Sequence, residues 1–266
     1  MSSLLKVLGK ITGNGQLQKA LEFNVRASHY LMGIGAGSDV SESGEKAVFR
    51  LLGTMAGAPF CIFDVGANKG QFLELALAQL PTEPFAIHCF EPGHVTFKLL
   101  QSAAGDDRRV HLNNMGLGKE RGMAILHFDE AGSGIASLTK RRLDHFKIQF
   151  EKTEEIEIQT IDEYCGTNGI DHIHLLKIDI EGHELDALHG AKGMFQKGAI
   201  DIVTFEFGGA NIDTRTFFQD FWYFFAEFKM RIFRITPSGY LHVLSSYKEI
   251  FEQFRTANYV AVRAVS

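Results

Sequence analysis

The sequence predicts an α/β protein built on a doubly wound, largely parallel sheet, and three observations carry that prediction. From Pro59 onward, short apolar runs alternate with longer amphipathic segments. This is the pattern of strand-helix-strand units that cross over right-handedly and bury a sheet on both faces. A glycine-containing turn, Asp64-Val65-Gly66-Ala67-Asn68-Lys69-Gly70, directly follows the first such run. The final apolar runs are separated by short turns that suit an antiparallel end to the sheet.

Up to Gly57 the pattern is helical. Leu17, Leu21, Val25, Ser28 and Met32 share one face at three- and four-residue steps, and a break follows at Gly33-Ile34-Gly35-Ala36-Gly37. A second helix is expected from about Glu42 to Leu52, with Asp39 and Glu42 spaced as a capping box and Gly53 ending it. Residues 1–57 therefore read as an N-terminal helical segment and 58–266 as the sheet domain.

In that domain CIFDV (61–65) is the first strand and Gln71 to Leu80 a helix. AIHCF (86–90) is the second strand, closed by Glu91-Pro92 and followed by a helix from about His94 to Ser102. VHLNN (110–114) is the third. MAILHF (123–128) and EIEIQTI (155–161) have β character and flank a polar loop long enough to act as a lid or binding loop. IHLLKIDI (173–180) is the next buried strand, then a helix runs to about Phe195, then the strand DIVTFEF (201–207). The Phe-rich segment from Phe217 to Phe228 reads as a helix docked on the sheet, because aromatic side chains dominate core burial. RIFRI (231–235), YLHVL (240–244) and YVAVRAV (259–265) close the chain.

Composition narrows the function classes. The 266 residues carry a formal net charge of −5, and the one basic run is Lys140-Arg141-Arg142, which argues against nucleic acid as a partner. Three cysteines without CxxC spacing read as reduced, buried thiols. The uncharged stretch Leu51 to Phe63 is broken by glycines and proline and falls short of the roughly 18–20 apolar residues of a membrane span. The first residues, MSSLLKVLGKITG, have lysines where a signal peptide needs an apolar core, so a cytoplasmic protein without stable membrane insertion is expected.

The turn after the first strand lies where a doubly wound sheet binds nucleotides. Gly66 permits a sharp turn, Gly70 lets the helix approach the sheet, and Asn68 tolerates the left-handed conformation in place of a middle glycine. Glu91 follows 27 residues after Asp64, where a carboxylate accepts hydrogen bonds from ribose hydroxyls. The motif G-A-N-K-G is a residue shorter than the dinucleotide fingerprint G-x-G-x-x-G. Asp64 would repel a pyrophosphate but suits the ammonium of an amino-acid-bearing nucleoside, so the spacing favours S-adenosyl-L-methionine over NAD. The competing readings are a dinucleotide-dependent oxidoreductase and a non-catalytic binding module of the same fold.

Asp64 to Gly70, Phe90-Glu91-Pro92 and Lys177-Ile178-Asp179-Ile180-Glu181-Gly182-His183-Glu184, in this order and spacing, resemble the FkbM family of S-adenosylmethionine-dependent methyltransferases. Gly134 to Leu138, Ile161 to Tyr164 and Phe205-Glu206-Phe207 add to a resemblance that covers roughly residues 45 to 235. The resemblance implies a Rossmann-like, seven-stranded methyltransferase sheet whose last strand is antiparallel. It also implies methyl transfer to a hydroxyl of a small-molecule or glycan acceptor, such as a sugar or polyketide. Asn114-Met115-Gly116-Leu117 departs from the family's alanine-leucine pair, and Asn114 or the Met115 backbone is assigned to the adenine edge.

Methyl transfer to oxygen needs an aligned acceptor and a group that takes its proton. Asp179, at the carboxyl end of the fourth strand of the parallel sheet, is expected to position the cofactor or acceptor, and Glu181 or His183 to assist proton removal. Glu206 is a second acid expected at the same mouth. No metal is assigned: His183-Glu184 with His189 does not match the zinc pattern H-E-x-x-H.

Overall fold

The structure is a computed structural model and describes residues 6, 9–36, 44–55, 58–81 and 84–264. Eleven strands occur among them: β1 (Phe60–Val65), β2 (Phe85–Phe90), β3 (Val110–Asn113), β4 (Gly116–Leu117), β5 (Gly122–Phe128), β6 (Lys152–Gln159), β7 (Ile173–Ile178), β8 (Ile200–Phe207), β9 (Met230–Ile235), β10 (Leu241–Val243) and β11 (Ala257–Arg263). The main sheet has eight strands in the order β10-β9-β11-β8-β7-β1-β2-β3. β3, β2, β1, β7 and β8 are mutually parallel, and β11 inserts antiparallel between β8 and β9. The seven strands expected are therefore present with an antiparallel last strand. The short strand β10 adds an eighth at the edge.

Strand order reverses between β1 and β7, since β2 and β3 extend one way and β8 the other. Binding crevices form beyond the carboxyl ends of strands at such a switch point. MAILHF and EIEIQTI leave the main sheet altogether: β5 and β6 pair antiparallel and join β4 in a separate three-stranded sheet.

The helices are α1 (Gly15–Leu31), α2 (Lys46–Leu52), α3 (Gln71–Gln79), α4 (His94–Ala104), α5 (Ile161–Asn168), α6 (Glu184–His189), α7 (Lys192–Gln196), α8 (Ala210–Thr214) and α9 (Phe218–Glu227). They cover both faces of the main sheet, with alternate strand residues feeding two cores. Ile62, Cys89 and Leu175 join Phe72, Leu73 and Leu100 on one face. Phe63, Phe90 and Leu176 join Tyr164 and the aromatic α9 on the other. Phe221 stacks on Phe205 with ring centroids 4.8 Å apart, so the Phe-rich segment is core, as its composition suggests. Ala47, Val48, Phe49 and Leu52 of α2 are buried against the sheet, whereas α1 contributes no buried residue.

Some boundaries differ from the sequence reading. EIEIQTI ends as a strand at Gln159, and a helix, α5, begins at Ile161 with Cys165 on its buried face. The cause is a cap: the Thr160 hydroxyl accepts from the Glu163 amide at 3.1 Å. The helix expected to run to Phe195 is split, because Asp162 accepts from the amides of Gly193 (2.7 Å) and Met194 (2.9 Å) and starts α7 afresh. IHLLKIDI stops as a strand at Ile178, leaving Asp179 and Ile180 in the turn. The expected Asp39–Glu42 capping box lies outside the described residues. Cys61, Cys89 and Cys165 are all free thiols.

Candidate active site

Three turns at the carboxyl end of the parallel strands build the site. At the end of β1 the chain must reverse against the neighbouring strand's turn. Gly66 adopts φ of 80°, and a Cβ there would lie 1.9 Å from the Asp179 carbonyl oxygen. No other residue fits. Asn68 takes the left-handed conformation its type tolerates, at φ of 48°. The amides of Gly66 and Ala67 both donate to the Phe90 carbonyl at 3.0 Å, and the Asp179 amide donates to the Val65 carbonyl at 3.0 Å. The turns after β1, β2 and β7 are thus one hydrogen-bonded unit.

Two carboxylates hold that unit from within. Glu91 accepts from the Asn68 amide at 3.0 Å and the Gly93 amide at 2.9 Å. Burial pushes its pKa up to about 7, against the pull of those two N–H groups. After β7, Glu184 accepts from the amides of Ile180 (3.1 Å) and Gly182 (3.0 Å). It is buried at the first turn of α6.

Asp64 is fully buried and faces Lys177, its direct register partner on β7, with 3.1 Å between Oδ1 and Nζ. Lys177 also donates to the Gly66 carbonyl at 2.8 Å and lies 3.7 Å from Asp179. Burial works against the Lys177 ammonium, but Asp64 and Asp179 outweigh it and hold its pKa above the usual lysine value. Asp64 lines neither cavity described below, so any influence on a ligand passes through Lys177 and the turn.

Two cavities open above these turns. A cleft of about 720 Å³ is lined by Glu45, Arg141, Phe146, Lys177, Glu206 and Phe254, among others. A narrower slot is lined by Glu91, Gly116, Leu117, Ile156, Ile158 and His183, among others. Gly66, Asn68, Gly134, Asp179 and Glu181 line both, so the cavities meet there. The slot combines aliphatic walls from Leu117, Leu126, Ile156 and Ile158 with the carboxylates of Glu91, Asp179 and Glu181. The cleft sets the charged Glu45, Arg141, Lys177 and Glu206 beside the apolar Phe72, Phe146, Ile212 and Phe254.

Asp179 and Glu181 stand at the junction. Glu181 holds a left-handed backbone (φ 53°), its carbonyl accepts from the Ser137 hydroxyl at 2.8 Å, and its carboxylate pairs with Arg141. Arg141 also lies 3.5 Å from Asp213. Burial and then Asp179 push the Glu181 pKa up to about 8, opposed by Arg141. Glu206 makes no hydrogen bond or ion pair among the described residues; burial, Asp179 and Glu181 raise its pKa well above the carboxylate range. His183 lines the slot and not the cleft, with one ring nitrogen 3.0 Å from Thr139 Oγ1 and the other 2.9 Å from Asp186.

Asn114 and Met115 line neither cavity. The Asn114 amide donates to the carbonyls of Glu91 and Pro92, both at 2.9 Å, and Met115 packs on the larger core, while Gly116 and Leu117 face the slot. Gly70 caps α3 in the left-handed conformation behind the turn. The sequence reading assigned no role to Lys177, Glu184 and Arg141. Lys177 carried a signal, because a lysine in an otherwise apolar central strand must find a buried counter-charge.

His172, His174 and Asp201 also converge, at the opposite end of the sheet. There the His174 Nδ1 lone pair accepts from the Cys61 amide at 2.9 Å, and Arg263 lies 3.6 Å from Asp201. Both features oppose a cation, so this group reads as a structural hydrogen-bond knot.

The family described as "Methyltransferase FkbM domain" matches residues 64–235, more than half the chain. The 2-O-methyltransferase NoeI of Sinorhizobium fredii (strain NBRC 101917 / NGR234) is 23% identical over 145 residues. That match spans 51% of this chain and 59% of NoeI, less than two thirds of the relative. Among solved structures, methyltransferase FkbM from Methylobacillus flagellatus KT is similar at 17% identity and a TM-score of 0.47, covering 78% of this chain and 45% of that one. The plantazolicin methyltransferase BpumL, solved with SAH, is similar at 9% identity and a TM-score of 0.42, covering 95% and 92%. The family match encloses all three turns that build the junction, and the chain belongs to the FkbM methyltransferase family.

Proposed function

We propose that this protein transfers the methyl group of S-adenosyl-L-methionine to a hydroxyl of a polar acceptor, most simply a sugar. The observation that carries the reading is the meeting, at Gly66, Asn68, Asp179 and Glu181, of a slot walled by Leu117, Ile156 and Ile158 and a wider cleft lined by Arg141, Lys177 and Glu206. The slot suits a nucleoside. Leu117, Ile156 and Ile158 offer apolar walls for a base, and Glu91 has spent only two acceptor positions on backbone amides, leaving others for ribose hydroxyls. Asn68 Oδ1 is buried at the junction without a hydrogen-bond partner, as expected where a ligand donor completes the site. Bound there, the cofactor supplies an electrophilic methyl group. That NoeI is named a 2-O-methyltransferase supports oxygen as the acceptor atom.

The protein's own part is alignment and proton transfer. Asp179, 44% exposed at the junction, orients the acceptor hydroxyl. Glu206, in the cleft and without a hydrogen-bond or ion-pair partner among the described residues, receives its proton when it is ionised, and the burial and neighbouring carboxylates that raise its pKa favour the protonated product. The sequence reading gave this role to Glu181 or His183. Glu181 is already paired with Arg141, and both ring nitrogens of His183 are engaged on the slot side. Phe146 and Phe254 with the surrounding carboxylates give the cleft the mix of aromatic faces and hydrogen-bond acceptors that hydroxyl-rich rings require.

Two outcomes test this assignment. With radiolabelled methyl donor and a panel of glycan acceptors, Glu206→Gln is expected to lower turnover by about 10²- to 10⁴-fold while affinity for S-adenosylhomocysteine stays unchanged. Equal turnover in the variant overturns Glu206 as the proton acceptor. Cofactor affinity is also expected to depend on pH through Glu91. Hydroxyl donors favour its ionised form, so affinity is level above pH 7 and falls about tenfold per unit below it. In the free protein the same raised pKa makes this carboxyl's contribution to stability fully present below its unfolded pKa and lost as pH rises through about 7. Calorimetry at pH 6 and pH 8 distinguishes a Glu91-dependent affinity from a flat one.

A further inference from the structure

The charges that line the cleft are sorted by depth. Its carboxylates, Glu45, Asp179, Glu181, Glu206 and Asp213, are all buried or half-buried. The ionisable side chains that line it and are exposed, Arg142, His145 and Arg255, are all basic. Two further cations are already committed. Lys177 faces Asp64 and Asp179, and Arg141, with a side chain only 10% exposed, pairs with Glu181 and lies 3.5 Å from Asp213.

Arg142 and Arg255 are not committed in this way. The anchoring of Arg141, together with a hydrogen bond from the Arg142 amide to Asp213 Oδ1 at 3.3 Å, leaves the Arg142 side chain 90% exposed at the rim. Its ion pair among the described residues is with Asp144 at 3.4 Å, itself largely exposed, and a surface pair of that kind contributes little and yields to a better-placed anion. Arg255 makes no side-chain hydrogen bond or ion pair among the described residues. Its guanidinium lies across Gly35, where a Cβ would come within 2.6 Å of Nη2, so the glycine leaves room for that placement. Phe146 and Ile212, 67% and 58% exposed, add apolar surface to the same mouth.

Resting on the reading of this cleft as the acceptor site, we infer that the acceptor is an anionic sugar, whose carboxylate or phosphate is held by Arg142 and Arg255 at the mouth while its hydroxyl points inward to Asp179 and Glu206. Guanidinium groups match both anions, because their planar fork donates two parallel hydrogen bonds to a carboxylate or a phosphate. The deeper carboxylates repel the same anion, so it cannot turn inward. Charge sorted in this way fixes which end of the ligand enters first, a constraint that a neutral sugar does not use. Two arginines and a histidine on a chain of net charge −5 suit a single anionic group and not the phosphate backbone of a nucleic acid.

Ligand-observed NMR titration of the full chain, with S-adenosylhomocysteine present, tests this with hexuronates, hexose phosphates and the parent hexoses. The charged sugars are expected to bind about tenfold more tightly than their neutral parents, and the margin should shrink to under about threefold in Arg142→Gln/Arg255→Gln. A margin for hexuronates alone assigns a carboxylate and one for hexose phosphates alone a phosphate, and either supports the inference. A panel in which no charged sugar outbinds its parent overturns it, as does a margin that survives the double substitution. Both positions are exposed, so circular dichroism and the melting midpoint of the variant should stay close to wild type. Binding of S-adenosylhomocysteine, measured separately, keeps the two readings apart. A chain that binds it without preferring charged sugars overturns this inference alone. One that prefers charged sugars but takes up no S-adenosylhomocysteine supports the anion site and strikes the methyl-transfer reading.

Discussion

Replacing Lys177 with methionine is expected to lower the stability of the folded chain by about 3–5 kcal/mol, the usual cost of leaving one charge of a buried pair without its partner. Methionine preserves the packing of the stem, whose ammonium lies 5.8 Å from the Phe72 ring centroid, so the loss reports on charge. What remains is Asp64, wholly buried, with no other cation beside it among the described residues. The Gly66 carbonyl also loses its donor. Urea denaturation checks the size of the effect, and a double-mutant cycle checks its cause. Adding Asp64→Asn should restore a large part of the loss, since it removes the stranded charge. If the two losses instead add, the pair is not what holds the β1 and β7 turns together.

Gly66→Ala is expected to abolish cofactor binding and to cost about 2–5 kcal/mol of stability, combining a left-handed backbone with overpacking. The contact that decides this is with backbone, the Asp179 carbonyl 1.9 Å from the added Cβ, so no side-chain rotation relieves it. One turn must move, and both carry junction residues. Calorimetric titration with S-adenosylhomocysteine, paired with denaturation, separates a lost site from a lost fold. A variant that binds with wild-type affinity contradicts the geometry of the β1 turn.

The parallel core was legible because its strands are buried on both faces: CIFDV, AIHCF and DIVTFEF are near-continuous apolar runs. Asn68 was legible for a local reason, since few residue types accept a positive φ. α5 was obscured by the alternating strand that runs straight into it, although Thr160 and Glu163 carry the spacing of a cap. The break between α6 and α7 depends on Asp162, some thirty residues earlier, and nothing in the local pattern announces it. The same limit applies to the site. That Glu181 is neutralised by Arg141 while Glu206 is left unpaired follows from how a loop and two strands assemble, not from either residue's neighbours in sequence. α1 shows the converse: its periodicity predicted a helix correctly, but an apolar stripe does not say whether its cover lies within the chain.

The central claim is that the slot above Gly66 holds the nucleoside of a methyl donor, with Glu91 on its ribose. Isothermal titration of the purified chain with S-adenosylhomocysteine and, separately, with NAD addresses it directly. The account predicts one S-adenosylhomocysteine bound per chain, no heat from NAD, and an affinity at least tenfold weaker in Glu91→Ala, as the loss of hydrogen bonds to a charged group implies. Binding of NAD in place of S-adenosylhomocysteine, or wild-type affinity in Glu91→Ala, would contradict it.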